Sequence, residues 1–182
     1  MIVKINVVDI ETTGFYPERD HIVEIGIVIL DTNDGNMQTA FSQIVHEPGF
    51  GPEHQSAWVF GNSDLTHDEV MKARPLSFFR DEIQSILGAR PSTAFNSDFD
   101  FRFLEHRGFS IQKCPCIMKA CTPIVKLPGN FGRYKWPKVE EAWRFFFPDD
   151  DYTEQHRAAD DALHEAYILL KIHRLGKYNI DR

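Results

Sequence analysis

The sequence has no apolar run long enough to cross a membrane, and its first residues do not resemble a signal peptide. Lys4, Asn6 and Asp9 interrupt the N-terminal apolar stretch, which is typical of a strand rather than of a cleaved leader. No internal repeat, low-complexity segment or linker divides the 182 residues. We therefore expect one domain over residues 1–182 that does not contact a membrane and that resides in the cytoplasm.

Cysteine is scarce, and its spacing argues against the structures that cysteines usually build. The three cysteines are Cys114, Cys116 and Cys121. An odd number in a chain without a secretion signal argues against a disulfide framework. A zinc site would need a fourth ligand, which His106 would have to supply, and Cys-x-Cys is not the usual Cys-x-x-Cys spacing. We expect free thiols.

The chain also lacks the excess of positive charge that contacts with phosphate normally require, since its net charge is -7. The charge is unevenly distributed, however. Residues 102–144 hold nine basic and three acidic residues, a net charge of +6, whereas the remainder carries -13. The basic stretch can hold a phosphate backbone, and an unevenly charged solvated surface is the alternative that charge alone leaves open.

Hydrophobic periodicity and turn residues predict strands first and helices later. Strands are predicted at residues 2–10, 21–30, 37–45 and 92–95, the first three as an antiparallel meander. Helices are predicted at residues 64–72, 75–87, from 97 onwards, within 116–125, at 137–147 and at 158–175. This order predicts an α/β fold in which helices flank a mixed sheet.

Four acidic residues in three short motifs are the strongest chemical signal. Asp9 and Glu11 end the first strand, where alternation places both on one side. Asp100 lies in the first turn of its helix, and Asp161 lies at the start of the last helix. Four carboxylates in one pocket would repel each other unless cations neutralised them, which is what a two-metal site for cutting phosphodiesters requires. The sequence therefore suggests a nuclease.

Each of these motifs also has a plainer interpretation. Asp9 and Glu11 would suit a polar strand end, and an acid such as Asp100 is favoured in any first helical turn because of the helix dipole. A histidine such as His156 is suited to take a proton from a bound water, although an isolated histidine near a helix end is more often structural. Asp160 points roughly 100° away from Asp161 on the helix, so we expect it to be a cap or a surface charge.

In this order, the three segments resemble the exonuclease motifs of the DEDDh exonucleases, the DnaQ-like group of the RNase H-like superfamily. The resemblance spans residues 7 to about 170. The sibling group has a tyrosine four residues before its last aspartate, whereas this chain has Gln155 and Arg157 around His156 and no tyrosine there. The matching positions are Asp9, Glu11, Thr12, Thr13 and Gly14 in the first motif, Asn96, Phe99, Asp100, Phe103 and Leu104 in the second, and His156, Ala158 and Asp161 in the third.

The resemblance implies an RNase H-like fold with a central mixed sheet of five strands. It also implies that Asp9, Glu11, Asp100 and Asp161 bind two divalent ions, Mg²⁺ or Mn²⁺, about 3.5–4 Å apart. His156 would be the general base, and the product would be a nucleoside 5′-monophosphate removed from the 3′ end.

The substrate would be held by the residues beside these ligands. Thr12, Thr13 and Gly14 form a sharp turn whose backbone amides and hydroxyls are expected to be free to meet a nucleotide. Phe15 stands where relatives place an apolar residue against the terminal base, with plain core packing as the alternative. Asn96 is preceded by Phe95, whereas many relatives have histidine at that place.

A basic and aromatic loop, residues 133–137, resembles a segment of some bacterial and phage relatives. Its cations and aromatic rings suit the binding of single strands, although a tryptophan that anchors the loop to the core is an equal alternative.

Taken together, the motifs predict a stand-alone 3′→5′ exonuclease, favouring DNA and single-stranded ends. The first alternative is an RNase that trims RNA or degrades short oligoribonucleotides. The second is an inactive nucleic-acid-binding protein or a polymerase-associated subunit. The oligomeric state is left open.

Overall fold

Three long antiparallel strands form the centre of the fold in the computed structural model, which describes residues 4–180. They are β1 (Lys4–Thr12), β2 (Ile22–Asp31) and β3 (Met37–Ile44). A two-residue strand, β4 (Ser92–Thr93), pairs in parallel with β1, and the order across the sheet is β3-β2-β1-β4. The mixed sheet with helices beside it confirms the predicted fold class.

The sheet is smaller than expected. It has four strands among residues 4–180, so the expectation of five strands is wrong. The predicted fourth strand also ends at Thr93 rather than at Phe95. The reason is that the backbone N–H of Phe95 donates to the carboxylate of Glu165, 3.1 Å away, and not to a neighbouring strand. Residues 2 and 3, part of the predicted first strand, lie outside the described residues.

Most predicted helices are present, with shifted ends. The predicted helix at 64–72 begins at His67, because Thr66 and Glu69 form a reciprocal pair of hydrogen bonds that caps it. A short helix that begins at Trp58 was not predicted. The helices are α1 (Trp58–Asn62), α2 (His67–Lys72), α3 (Arg80–Ala89), α4 (Ser97–His106), α5 (Ile117–Val125), α6 (Val139–Phe146) and α7 (Ala158–Arg174).

The sheet separates two hydrophobic clusters because successive side chains of a strand point to opposite faces. On one face, Ile5 and Val7 of β1 pack with residues of α5, α6 and α7. On the other, Val8 and Ile10 pack with residues of α3 and α4. Cys116 and Cys121 are buried free thiols within the first cluster, as expected.

The N-terminus of α7 lies directly on β2 at Gly26. A Cβ atom at this position would stand 2.3 Å from the backbone carbonyl carbon and oxygen of Ala158, so only glycine allows this approach. One long helix is therefore held at a fixed height above the sheet, and Asp161 lies in its first turn. None of the helices within residues 4–180 combines the length and apolar character needed to cross a bilayer.

Candidate active site

The end of β1 presents two carboxylates to the face of the sheet that α7 covers. Asp9 and Glu11 alternate with apolar residues of the opposite face, as the sequence predicted. Asp9 pairs in register with Gly26, and Glu11 pairs with Glu24. Because Gly26 lets α7 approach closely, both carboxylates face the start of that helix.

The first turn of α7 holds Asp161 in one orientation. Its Oδ2 accepts a hydrogen bond from the backbone N–H of Arg157 at 3.0 Å, and its Oδ1 accepts from the Tyr152 hydroxyl at 2.6 Å. The carboxylate of Glu24 accepts from the backbone N–H of Ala158 at 3.1 Å and from the Arg157 guanidinium at 2.9 Å. An ion pair between the buried Glu24 and the half-buried Arg157 thus joins β2 to the start of the helix that carries Asp161.

The fourth acid comes from α4, which starts four residues after β4. Asp100 is 4% exposed, and its backbone N–H donates to the carbonyl of the N-cap residue Asn96 at 3.3 Å. Asp98 lies in the same turn, but it is exposed and pairs with Lys119. The helix dipole stabilises a negative charge at both positions, so it does not distinguish the two acids. Only Asp100 faces inwards.

Burial makes these carboxylates unusually hard to ionise. Burial, together with the neighbouring carboxylates of Glu165 and Asp100, raises the pKa of Asp9 well above its usual range. The pKa of Glu11 is raised in the same way, by burial first and by Asp161 second. Burial raises the pKa of Asp100 to about 8 and also raises that of Asp161. If all four were ionised, they would carry more negative charge than the protein around them neutralises.

Two further observations show that a divalent cation fits this donor set. The Oδ2 atom of Asp9 is buried and has no hydrogen-bond partner, which is costly for a carboxylate without a cation. One ligand atom each from Glu11, His156 and Asp161 lie within 4.8 Å of one another. Carboxylate oxygens are hard donors of the kind that bind divalent cations.

Two more acids border the site, and sequence reasoning missed both. Glu165 is 2% exposed and lies one turn after Asp161 on α7, and burial raises its pKa well above the usual range. Glu154 precedes the helix, and burial followed by repulsion from Asp161 raises its pKa to about 7. The spacing of four between Asp161 and Glu165 is the one signal in the sequence that places Glu165 on the inner face.

Most of these groups line a groove of about 640 Å³, one of whose walls is formed by residues 136–140. Asp161 is not among the lining residues, but an oxygen of its carboxylate lies within 4.8 Å of ligand atoms of Glu11 and His156, which are. His156 has a backbone φ of 52°, in the left-handed region that is strained for a non-glycine residue. Its ring meets the edge of Trp58 with ring centres 4.7 Å apart. Sequence reasoning missed Trp58, which lies on the helix that was not predicted. The residues lining the groove include Asp9, Glu11, Asn96, Asp100, Glu154, His156 and Glu165.

An apolar pocket of about 340 Å³ adjoins the groove, and Trp58 and Glu11 border both. Phe15 is 72% exposed and stands edge-on to Phe99 at 6.3 Å between ring centres. Core packing, the alternative considered for Phe15, is therefore wrong. The pocket is lined by Ile10, Glu11, Thr12, Thr13, Gly14, Phe15, Trp58 and Phe99.

The Thr-Thr-Gly turn is less available than the sequence suggested. The hydroxyl of Thr12 donates to the carbonyl of Gly14 at 2.6 Å, and the backbone N–H of Thr13 donates to the carbonyl of His21 at 2.9 Å. The expectation that these groups are free is therefore wrong. The Thr13 hydroxyl accepts from the N–H of His21 and keeps its own proton for donation.

Two remaining residues lie as the sequence suggested. Asn96 is exposed at the start of α4, and its side chain makes no capping bond and lines the groove. The side chain of Asp160 is 41% exposed and lies 3.4 Å from the imidazole of His164, which is typical of a surface charge.

Comparisons with known proteins identify the family. Residues 7–169 match the family RNase_T, whose members are exonucleases. No curated protein sequence matches this chain. The structure is similar to the nuclease domain of 3′hExo, a DEDDh family member bound to rAMP, with a TM-score of 0.75 and 20% identity over 99% of this chain and 96% of that one.

Two other solved structures share the fold. Cell-death related nuclease 4 (CRN-4) has a TM-score of 0.67 and 15% identity over 96% of this chain and 64% of that one. E. coli Exonuclease I in complex with a dA16 oligonucleotide has a TM-score of 0.65 and 14% identity over 95% of this chain, which spans 41% of the length of that one. The chain therefore belongs to the RNase_T exonuclease family, which confirms its predicted identification as an exonuclease, and the similar structures confirm the predicted RNase H-like fold.

Proposed function

We propose that the protein hydrolyses the terminal phosphodiester bond at the 3′ end of single-stranded nucleic acid and releases nucleoside 5′-monophosphates. DNA is the favoured substrate. One observation carries the proposal: Asp9, Glu11 and Asp100 line one groove with His156, ligand atoms of Glu11 and His156 lie within 4.8 Å of one of Asp161, and Asp9 Oδ2 has no hydrogen-bond partner. Such a set is stable in ionised form only beside cations. Phosphate oxygens of a substrate would bind the same cations.

Asp9, Glu11, Asp100 and Asp161 would hold two divalent ions, Mg²⁺ or Mn²⁺. Such ions lower the pKa of a bound water and stabilise the charge that develops on the leaving oxygen. The protein prepares the ligands by hydrogen bonding: Tyr152 and the N–H of Arg157 fix the Asp161 carboxylate. Burial raises the pKa of the Tyr152 hydroxyl, so it remains a donor.

His156 would act as the general base. A nitrogen of its ring lies within 4.8 Å of carboxylate oxygens of Glu11 and Asp161, so a water between them is within its reach. The imidazole takes a proton from this water as the water oxygen bonds to phosphorus. The bond from phosphorus to the 3′ oxygen breaks, and that oxygen leaves with the shortened strand and is protonated by solvent. Trp58 limits the ring to one side of the groove.

The terminal base would enter the apolar pocket beside Phe15, Phe99 and Trp58. An exposed aromatic such as Phe15 gains apolar contact when a base stacks on it, at about 1–3 kcal/mol per base. The pocket continues into the groove through Glu11 and Trp58, so a nucleotide with its base in the pocket has its phosphate among the carboxylates.

RNA is the second candidate substrate. The similar nuclease domain of 3′hExo is bound to rAMP, whereas E. coli Exonuclease I is in complex with DNA oligonucleotides. Both kinds of strand fit the stacking and metal contacts proposed above, because neither contact involves the 2′ position. A comparison of matched DNA and RNA strands therefore decides between the two.

The test uses 5′-labelled single-stranded DNA, duplex DNA, RNA and a dinucleotide, each with Mg²⁺ and with EDTA. We expect the wild type to shorten single strands from the 3′ end in Mg²⁺ only. Asp161→Ala should abolish activity, and Asp160→Ala, a neighbouring acid with an exposed side chain, should retain it. Hydrolysis that survives both EDTA and Asp161→Ala would overturn the two-metal proposal. Binding without degradation would assign the protein to the nucleic-acid-binding class, and consumption of only the shortest RNA would assign it to the oligoribonucleases.

A further inference from the structure

The segment between α5 and α6, residues 126–138, differs from the rest of this acidic protein in its charge. We call it the arm. Its 13 residues include four cations, Lys126, Arg133, Lys135 and Lys138, and no acid, within a chain of net charge -7. Such a local excess of positive charge attracts a polyanion at short range.

The arm has a defined backbone structure. The N–H of Gly129 donates to the carbonyl of Arg133 at 2.9 Å, and the N–H of Lys135 donates to the carbonyl of Leu127 at 3.0 Å. These bonds pair the two halves of the arm as a short antiparallel hairpin. Leu127 packs against the core cluster at one end, and Pro137 is buried at the other. The tip of the arm is thus held out from a fixed base.

Three large aromatic side chains on the arm are turned to solvent. Phe131 is fully exposed, Tyr134 is 50% exposed and Trp136 is 61% exposed. Within residues 4–180, none of the three rings lies against another aromatic ring or under a cation, although such contacts are frequent elsewhere in the fold. Exposed aromatics that alternate with cations are what a protein needs to bind unpaired bases without regard to sequence.

The arm is continuous with the proposed active site. Trp136, Pro137 and Lys138 form part of the wall of the groove that contains Asp9 and Asp100. A strand whose terminal nucleotide occupies the groove therefore leaves it beside Trp136 and meets Tyr134 and Phe131 beyond. The aromatic faces are available only to bases that are not stacked within a duplex.

We propose that the arm is a second binding site, which holds the nucleotides on the 5′ side of the reacting phosphate in a single strand of nucleic acid. Its aromatic side chains stack on the bases, and Lys126 and Arg133 lie near the phosphates. The inference rests on the proposed function, because the position of the reacting phosphate defines which nucleotides meet the arm. It assigns the preference for single strands chiefly to Phe131 and Tyr134, which do not line the catalytic groove.

The test uses the double variant Phe131→Ala/Tyr134→Ala, which leaves the groove-lining residues intact. Phe78→Ala is the matched control, since Phe78 is 59% exposed and does not line the groove. Binding of a fluorescent 12-nucleotide single strand is measured by anisotropy in EDTA, where hydrolysis does not interfere. Hydrolysis of the 12-mer and of a dinucleotide is then measured in Mg²⁺.

We expect the double variant to weaken binding of the 12-mer about tenfold or more, because two stacked bases are lost at about 1–3 kcal/mol each and 1.4 kcal/mol corresponds to tenfold. The KM for the 12-mer should rise by a similar factor, while kcat/KM for the dinucleotide stays within about twofold of the wild type. The Phe78→Ala control should match the wild type in every measurement.

Three results would overturn the proposal. Unchanged binding of the 12-mer would show that the arm does not hold the strand. An equal loss on the 12-mer and the dinucleotide would place the effect in the groove or in the fold. A wild-type dimer that the double variant converts to a monomer, with strand binding unchanged, would assign the arm to a contact between two copies of the chain. If the wild type hydrolyses neither substrate, the proposed function is overturned instead. This outcome is distinguishable from the other three because the wild type is measured before any variant.

Discussion

Removal of one buried carboxylate should stabilise the protein in the absence of metal and abolish its stabilisation by metal. Burial raises the pKa of Asp100 to about 8, whereas the same group in an unfolded chain has a pKa of about 3.9. At pH 7 the folded protein must therefore keep a proton on Asp100 that the unfolded chain has lost. Each pKa unit corresponds to about 1.4 kcal/mol, so the cost at pH 7 is on the order of 4 kcal/mol.

Asp100→Asn removes this cost, because an amide is neutral at every pH. We expect the free energy of unfolding in EDTA at pH 7 to rise by about 2–4 kcal/mol, since the amide replaces only part of the hydrogen bonding of the carboxylate. For a domain of this size the melting temperature should rise by roughly 5–15 °C. In contrast, Mg²⁺ at about 100 times its dissociation constant should stabilise the wild type by about 2.7 kcal/mol and the variant by much less.

The raised pKa of Asp100 also predicts how the stability of the metal-free protein changes with pH. The folded pKa of Asp100 lies above the unfolded value, so the folded protein without metal binds more protons, and its stability falls as pH rises from about 4 to about 8. The advantage of Asp100→Asn should therefore be small near pH 4 and largest near pH 8. Thermal unfolding in EDTA and in Mg²⁺ across this range measures it.

Asp98→Asn is the matched control for this experiment. Asp98 lies in the same helical turn, but its side chain is 70% exposed and pairs with Lys119, so the substitution should change stability by less than about 1 kcal/mol and leave the response to Mg²⁺ intact. The reasoning would be refuted if Asp100→Asn were less stable than the wild type in EDTA at pH 7. An advantage that did not grow with pH would refute it equally.

Three further predictions concern the attachment of α7 to the sheet and the charge of the partly buried His21. Gly26→Ala should destabilise the protein by about 3 kcal/mol and weaken Mg²⁺ binding, because its Cβ would collide with the backbone of Ala158; urea unfolding and titration calorimetry measure both. Glu24→Gln should lower the unfolding free energy by about 2 kcal/mol, because Arg157, itself half-buried, loses its charged partner. Burial lowers the pKa of His21 below the unfolded value of about 6.5. The contribution of His21 to stability should therefore be present above pH about 6.5 and lost as the pH falls from there through the folded pKa. The difference in stability between the wild type and His21→Gln over pH 5–8 measures this loss.

The predictions for Gly26 and Glu24 each have a control variant within the chain. Gly61→Ala introduces a Cβ that meets no atom within 4 Å, so it should leave stability and Mg²⁺ binding unchanged. Asp64, whose side chain is 79% exposed, is the other partner of Arg157, so Asp64→Asn should lower the unfolding free energy by less than about 1 kcal/mol. Equal effects of Gly26→Ala and Gly61→Ala, or of Glu24→Gln and Asp64→Asn, would contradict the role given to the buried contacts. A stability difference at His21 that grew as the pH fell would contradict the direction of its pKa.

Features that depend on short stretches of sequence were predicted well. The alternation in β1 placed Asp9 and Glu11 on one face, and the structure shows them there because the strand period is a local property. The spacing from Ser97 placed Asp100 in a first helical turn, which is also local. The catalytic roles of these residues stay predictions until activity is measured.

Features that depend on contacts across the chain were missed or mistaken. The strand predicted at residues 92–95 is cut short because Phe95 donates to Glu165, some 70 residues away in sequence. The turn after β1 has fewer free groups than expected because the chain returns to it at His21. The pairing of Tyr152 with Asp161 and the position of Trp58 against His156 left no periodic signal.

Residue type and spacing alone showed four acids and a histidine in three motifs and a basic stretch in an acidic protein, and they predicted an α/β order of strands and helices. The folded structure was needed to show that Asp9, Glu11 and Asp100 line one groove, that Glu154 and Glu165 join them, and that an oxygen of Asp9 has no hydrogen-bond partner. Type and spacing fix local geometry and charge, whereas burial and repulsion arise only when distant segments meet, as α7 does with β2 at Gly26.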